Sequence, residues 1–195
     1  MKRWAVTGPT GAGKSAVTAL LAARGAAVLD GDGLGHEVLS QPAVVGAVVD
    51  RFGADIAPGG VVDRAVLGRR VFADADELAA LDAITHPPLC VLMENRLLEL
   101  AAQGRTLAVL EAAVYFRLPA PPPMDLVVAV IASAEVRAAR LAARTGLDPE
   151  KARSRVDALA PLDRDWARAD LTIRNDGEPA DLAAAVDALW AAHAP

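Results

Sequence analysis

The sequence predicts a doubly wound α/β domain: a parallel sheet of about five strands with helices on both faces. Three observations predict it. Short apolar runs, "RWAVTG", "AAVLD", "RTLAVLEA", "DLVVAVIA" and "LTIRN", recur along the chain with helical patterns between them. Such runs suit strands buried on both faces. The first run leads into a glycine loop and a helix, "TGPTGAGKSAVTALLAARGAAVLDGD" at 7–32. The 195 residues fit one domain, and more than half are apolar, enough to bury a core.

In chain order, the first strand is followed by a helical pattern from Lys14 to Arg24, with Gly25 placed to stop it. The second strand ends at Asp30. The middle reads as helical, with candidate helices near 42–52, 64–83 and 88–102. Together they form an insertion, about 33–103, beside the carboxyl edge of the sheet. The third strand follows. "LPAPPPMD" at 118–125 reads as a stiff surface connection to the fourth. A helix then carries Arg137, Arg140 and Arg144 at i, i+3 and i+7, on one face. In "TGLDPEKARSRVDAL", Gly146, Asp148 and Pro149 precede a charged helix, the pattern of a hinged lid at about 144–168. The fifth strand and a last helix close the chain.

Gly8, Pro9, Thr10, Gly11, Ala12, Gly13, Lys14 and Ser15 match G-x-x-x-x-G-K-[ST]. The loop must curl so that successive N–H groups point inward at phosphate oxygens. Glycine permits the backbone angles and the close approach. The helix behind it turns its positive end to the anion. Lys14 would reach the outer phosphates and Ser15 would hold Mg²⁺ with ATP. Gly11, Ala12, Gly13, Lys14 and Ser15 are therefore the nucleotide-binding candidates. The loop alone does not separate a kinase from other nucleotide hydrolases. Asp30 and Asp32 stand where the second strand ends, at the ligand edge of a doubly wound sheet. A carboxylate there can accept a hydroxyl proton during phosphoryl transfer, or merely cap the next helix; both readings stand at this point.

Composition excludes several classes. A net charge of −5 offers nothing to nucleic acid or an acidic membrane. Cys90 is the single cysteine, so no internal disulfide forms and a thiolate zinc site is not expected. A reducing cytoplasm is the default compartment. The start, "MKRWAVTG", has no apolar run of signal-peptide length, and no stretch resembles a membrane span. The expectation is a soluble cytoplasmic protein with no membrane, nucleic-acid or obligate protein partner.

Beyond the loop, the chain resembles the dephospho-CoA kinase family, and the resemblance runs over nearly its whole length. "TGPTGAGKSAVTALLAARGAAVLDGD" is similar to that family's glycine loop, helix ending in Gly and strand ending in Asp-x-Asp. "VVGAVVDRFGADIAPGGVVDRAVLGRRVF", "DAITHP" and "ADLTIRNDG" resemble its later segments, in the same order. The resemblance implies ATP-dependent phosphorylation of the ribose 3′-hydroxyl of dephospho-CoA, with Mg²⁺. It implies Asp32 as general base and Lys14 and Ser15 as phosphate and metal ligands. Arg70 and His86 would belong to the acceptor pocket, Arg140 and Arg144 to the nucleotide and lid, and Asn175 would lie near the adenine. Arg140 is also a catalytic candidate, because a guanidinium there would offset charge on the transferred phosphoryl group. Arg137 reads as part of a solvated basic face.

The chain departs from the family at three places. His36 stands where an Arg is common after Asp-x-Asp. Gly68 replaces a common Arg, with Arg69 adjacent to it. Tyr115 or Phe116 falls where an acid is usual late in "VLEAAVYFRL". Glu111, at the end of the third strand, is the candidate to take over that acid's place in the acceptor site and to hold a metal-bound water. The competing readings are a P-loop kinase for a nucleoside, nucleotide or sugar-like acceptor, and a nucleotide-binding regulator without catalysis.

Overall fold

The computed structural model describes residues 1–72, 74–159 and 166–195. Five strands form one all-parallel sheet: β1 (Lys2–Thr7), β2 (Ala27–Asp30), β3 (Leu107–Glu111), β4 (Leu126–Ile131) and β5 (Leu171–Arg174). Their spatial order is β2-β3-β1-β4-β5. The chain leaves β1 for one side of the sheet and passes to the other with β4. The switch therefore falls beside the carboxyl end of β1, where ligands of doubly wound sheets bind. All five apolar runs of the sequence are strands.

Eight helices are described: α1 (Lys14–Ala23), α2 (Gly31–Val38), α3 (Pro42–Phe52), α4 (Arg64–Val71), α5 (Ala75–Ala102), α6 (Ala134–Thr145), α7 (Pro149–Leu159) and α8 (Pro179–His193). The chain divides into two compact units. The first comprises residues 1–31, 97–117 and 123–195; the second comprises 32–96 and 118–122.

The first unit holds the sheet. Trp4, Val6, Val109, Val128 and Val130 are buried in it together with Val17 and Leu21 of α1 and Val186 and Leu189 of α8. Trp4 meets Trp190 edge to face, centroids 6.3 Å apart. Helix α1 stops as expected: Gly25 has φ 101°, and its N–H returns to the Ala22 carbonyl at 2.9 Å. On α6 and α7, Ala138, Leu141, Ala152 and Val156 form a second small core. The sequence signals before α7 hold. Gly146 is the left-handed cap of α6 and the Asp148 carboxylate accepts from the Glu150 N–H. Residues 160–165, within the expected lid at 144–168, lie outside the described residues.

The second unit is helical. Val44, Val48 and Phe52 are the buried face of α3, at helical spacing. Asp63 caps α4, its carboxylate accepting from the N–H groups of Ala65 and Val66. Arg51 pairs with Glu77, and Arg96 with Glu37, each at 2.8 Å.

Two expectations are corrected. The helices expected at 64–83 and 88–102 are instead α4, ending at Val71, and one long α5 that runs through Pro87 and Pro88. The start of α5 is set by Asp74, whose carboxylate accepts from the Asp76 N–H at 2.8 Å, with Asp76 and Glu77 in the first turn. Each proline removes only one helical bond, from the carbonyl of Ala83 or Ile84. Turns on both sides carry the helix past that gap. The proline-rich connection is also more than a surface bridge, since its Leu118 and Pro122 are buried.

Candidate active site

The glycine loop joins β1 to α1, so the sheet fixes one end and the helix the other. Gly8, Gly11 and Gly13 have φ of 136°, 83° and 100°. Side chains are strained there, and there is also no room for them. A Cβ on Gly8 would lie 2.0 Å from the Val130 carbonyl oxygen, and one on Gly13 would lie 2.2 Å from the Asn175 amide nitrogen. Lys14 Nζ is 3.2 Å from the Pro9 carbonyl oxygen, folded back over its own loop. Ser15 is exposed on the first turn of α1.

Carboxylates gather at the same sheet edge. Glu111 ends β3 and is in register with Asp30 of β2 on one side and Val6 of β1 on the other. Thr18, one turn into α1, donates its hydroxyl to Glu111 Oε2 at 2.8 Å. Thr18 is a residue the sequence reading missed. Its signal was its place on α1, three residues after Ser15 and one turn beyond Lys14. Asp30 and Asp32 are exposed, and Gly31 lies between them. A Cβ on Gly31 would fall 2.5 Å from the Glu111 carbonyl oxygen, so the close approach of β3 requires glycine here. Asp32 lies in the first turn of α2.

The arginines of α6 divide into two kinds. Arg137, read as solvated, is only 6% exposed, and its Nε donates to the Thr10 carbonyl at 2.9 Å. That reading is corrected. The face carrying Arg137 packs so tightly on the loop that a Cβ on Gly11 would lie 2.8 Å from the Arg137 carbonyl oxygen. Arg140 places one nitrogen 3.3 Å from the Ala12 carbonyl and the other 3.4 Å from Asn175 Oδ1. Arg144 is exposed. Asn175, just past β5, is buried, and its Nδ2 donates to the Ala12 carbonyl at 2.8 Å. Beside it, Asp176 accepts from the Ser133 N–H at 2.6 Å. That bond, with Arg174 nearby, holds the Asp176 carboxyl below the usual carboxylate range.

Arg70 and His86, the expected acceptor residues, lie in the second unit. Arg70 grips Asp55 with two nitrogens, at 2.7 and 3.3 Å, and also donates to the Phe52 carbonyl. This pairing lowers the Asp55 pKa and raises that of Arg70. His86 is buried in α5, with Nε2 3.2 Å from Asp82 Oδ1 one turn earlier. Of the departures from the family pattern, His36 is exposed on the last turn of α2 and Gly68 lies inside α4. Tyr115 is buried, which raises its phenol pKa and keeps it neutral, so it replaces no carboxylate.

A switch-point glycine loop, a lysine and serine at its end and carboxylates on the neighbouring strand ends define a P-loop small-molecule kinase. A solved shikimate kinase from Bacteroides thetaiotaomicron shares this fold, with a TM-score of 0.54 over 98% of this chain and 97% of that one, at 13% identity. TT1252 from Thermus thermophilus is more similar: TM-score 0.78 and 32% identity, over 100% of this chain and 98% of that one. A family model described as dephospho-CoA kinase matches residues 4–181. The dephospho-CoA kinase of Anaeromyxobacter dehalogenans is 39% identical, over 95% of this chain and 89% of its own length. The chain belongs to the dephospho-CoA kinase family. Among the described residues, no helix is long and apolar enough to cross a membrane.

Proposed function

We propose that this chain transfers the γ-phosphoryl group of ATP to the ribose 3′-hydroxyl of dephospho-CoA, giving CoA and ADP in the cytoplasm. The observation that carries this reading is the glycine loop ending in Lys14 and Ser15 at the sheet edge that also bears Asp30 and Glu111, in a chain of this family. Asp32 takes the hydroxyl proton. The 3′-oxygen then bonds to the γ-phosphorus as the bond to the bridging oxygen breaks, and ADP leaves with that electron pair. Gly11, Ala12 and Gly13 hold phosphate through the main chain. Lys14 and Arg140 neutralise charge on the transferred group. Arg144 and the segment after it cover the nucleotide. Asn175 belongs to the nucleotide site. Arg70 and His86 of the helical unit, with Glu111, serve the acceptor.

The residues fit ATP with Mg²⁺. Gly8, Gly11 and Gly13 curl the loop at positive φ, and the candidate metal groups, the Ser15 hydroxyl and the anchored Glu111 carboxylate, are oxygen donors suited to a hard cation. Ser15 and Glu111 would hold the cation, which would supply charge neutralisation to the phosphates. The test is ADP release over a panel of acceptors. We expect release with dephospho-CoA and none with nucleosides, nucleotides or sugars. A different responding acceptor means another small-molecule kinase, and ATP binding without release means a regulator. Activity should be abolished by excess EDTA and restored by Mg²⁺, as followed in the same assay.

A further inference from the structure

Two buried polar side chains of the sheet-bearing unit end on the main chain of the glycine loop. Arg137 Nε donates to the Thr10 carbonyl at 2.9 Å, and Asn175 Nδ2 donates to the Ala12 carbonyl at 2.8 Å. Each residue is 6% exposed. The carbonyls they hold alternate along the loop. The described peptide bonds are all trans. In a planar trans peptide the carbonyl and the following N–H point in opposite directions. Holding the Thr10 oxygen on Arg137 therefore turns the Gly11 N–H away from α6. Holding the Ala12 oxygen on Asn175 turns the Gly13 N–H away from β5.

Both N–H groups belong to residues whose backbone has wide conformational freedom. Gly11 and Gly13 have no Cβ and positive φ, so rotation of the adjoining peptide planes meets little steric resistance. A loop left to itself would sample several orientations and pay for ordering them when an anion binds. Ala12 is completely buried, so its carbonyl needs a partner from within the protein. Asn175 supplies that partner, with Arg140 at 3.3 Å from the same oxygen.

We propose that Arg137 and Asn175 are positioning residues that preset the Gly11 and Gly13 N–H groups for the polyphosphate of the nucleotide. The proposal rests on the nucleotide reading above and deepens it. It assigns Asn175 to the phosphate end of the nucleotide through the loop, whereas the family resemblance puts it near the base.

The test compares two probes on the full chain, tripolyphosphate and adenosine, by equilibrium titration. Arg137→Met and Asn175→Asp should each weaken tripolyphosphate about tenfold, the cost of one hydrogen bond to a charged or buried group. Adenosine binding should not change. Asn175→Asp keeps the side-chain shape and sets an oxygen against the Ala12 carbonyl, so a merely space-filling role would leave it near wild type. Arg137→Lys should recover part of the loss. In ¹H–¹⁵N spectra, the Gly11 and Gly13 amide signals of the wild type should move downfield with tripolyphosphate, and those of the two variants should move less. Circular dichroism checks folding; if either variant fails to fold, Arg137→Lys and Asn175→Ala decide by the same readouts. Folded variants with wild-type tripolyphosphate affinity overturn the proposal. So does an Asn175 variant that loses adenosine and keeps tripolyphosphate. A wild type that ignores tripolyphosphate overturns the nucleotide reading and this proposal with it. A wild type that ignores dephospho-CoA, with tripolyphosphate binding lost in the variants, upholds this proposal and removes only the acceptor assignment.

Discussion

The two units of the chain build their candidate functional groups in different ways. In the sheet-bearing unit the glycine loop offers main-chain atoms, and the places of Asp30 and Glu111 follow from strand register. Glu111 cannot move from Asp30 without breaking the pairing of β2 with β3. In the helical unit the groups are long side chains tied to local carboxylates: Arg70 to Asp55 across 15 residues, and His86 to Asp82 within one turn. The first arrangement is fixed by the pairing of the strands. The second can be retuned by one substitution. On the proposed reading, phosphate binding belongs to the fold and acceptor choice to side chains placed on it.

The largest effect should come from the sheet-bearing unit. Lys14→Ala should fold normally, since its side chain folds back over its own loop, and lose about 3 kcal/mol or more of transition-state stabilisation. Circular dichroism and steady-state kinetics measure both, and near-normal turnover would remove Lys14 from the chemistry. Next is Asp32→Asn, at the first residue of the second unit, which keeps the shape and removes the proposed base. Turnover should fall by roughly 10²-fold or more with ATP affinity little changed. Asp30→Asn is its control. Single-turnover kinetics showing the loss in Asp30→Asn instead would transfer the role to the strand-end carboxylate.

Arg70 of the helical unit should respond differently. Arg70→Ala should raise the KM for dephospho-CoA about tenfold and leave that for ATP unchanged. An equal change in both would mean that the separation of tasks between the units is false. The smallest effects are in stability. Asp176 and Asp55 are both held below the ordinary carboxylate range. A depressed folded pKa contributes stability above the unfolded value, and the contribution is lost as pH falls through the folded value. Asp176→Ala and Asp55→Ala should therefore lower Tm slightly near neutral pH. The difference from wild type should vanish in acid, below the ordinary carboxylate range. Salt should shrink the Asp55 effect more, because its partner is an exposed guanidinium and not a backbone N–H. Thermal melts across pH and ionic strength test this.

What was legible in the sequence follows the same division. Five apolar runs became five strands, because a strand buried on both faces leaves a continuous apolar stretch. The glycine loop was legible because its backbone angles demand particular residues at particular places. Arg137 was misread because helical spacing tells which residues share a face and not what lies over that face. The break between α4 and α5 was misplaced for a similar reason. Apolar spacing does not show that α5 runs through Pro87 and Pro88, and its start is marked by Asp74, followed by Asp76 and Glu77. Arg70 and His86 were identified by family resemblance alone, because an arginine paired with a carboxylate and a histidine before two prolines carry no spacing rule of their own.

The turn after β5 carries a consequence for how this chain tolerates change in length. Asn175 and Asp176 are consecutive, yet one is held to the glycine loop and the other to the first residues before α6. The Asn175 N–H still continues the sheet, donating to the Ile131 carbonyl at 2.8 Å, so the register of β5 on β4 decides which side chain meets which neighbour. Deleting a single residue from β5 would bring a carboxylate against the Ala12 carbonyl and take it away from Ser133. Inserting one would bring Arg174 there instead. Point substitutions at Leu171 or Thr172, both exposed, leave this arithmetic intact. Over evolutionary time the segment should accept altered letters readily and altered length hardly at all.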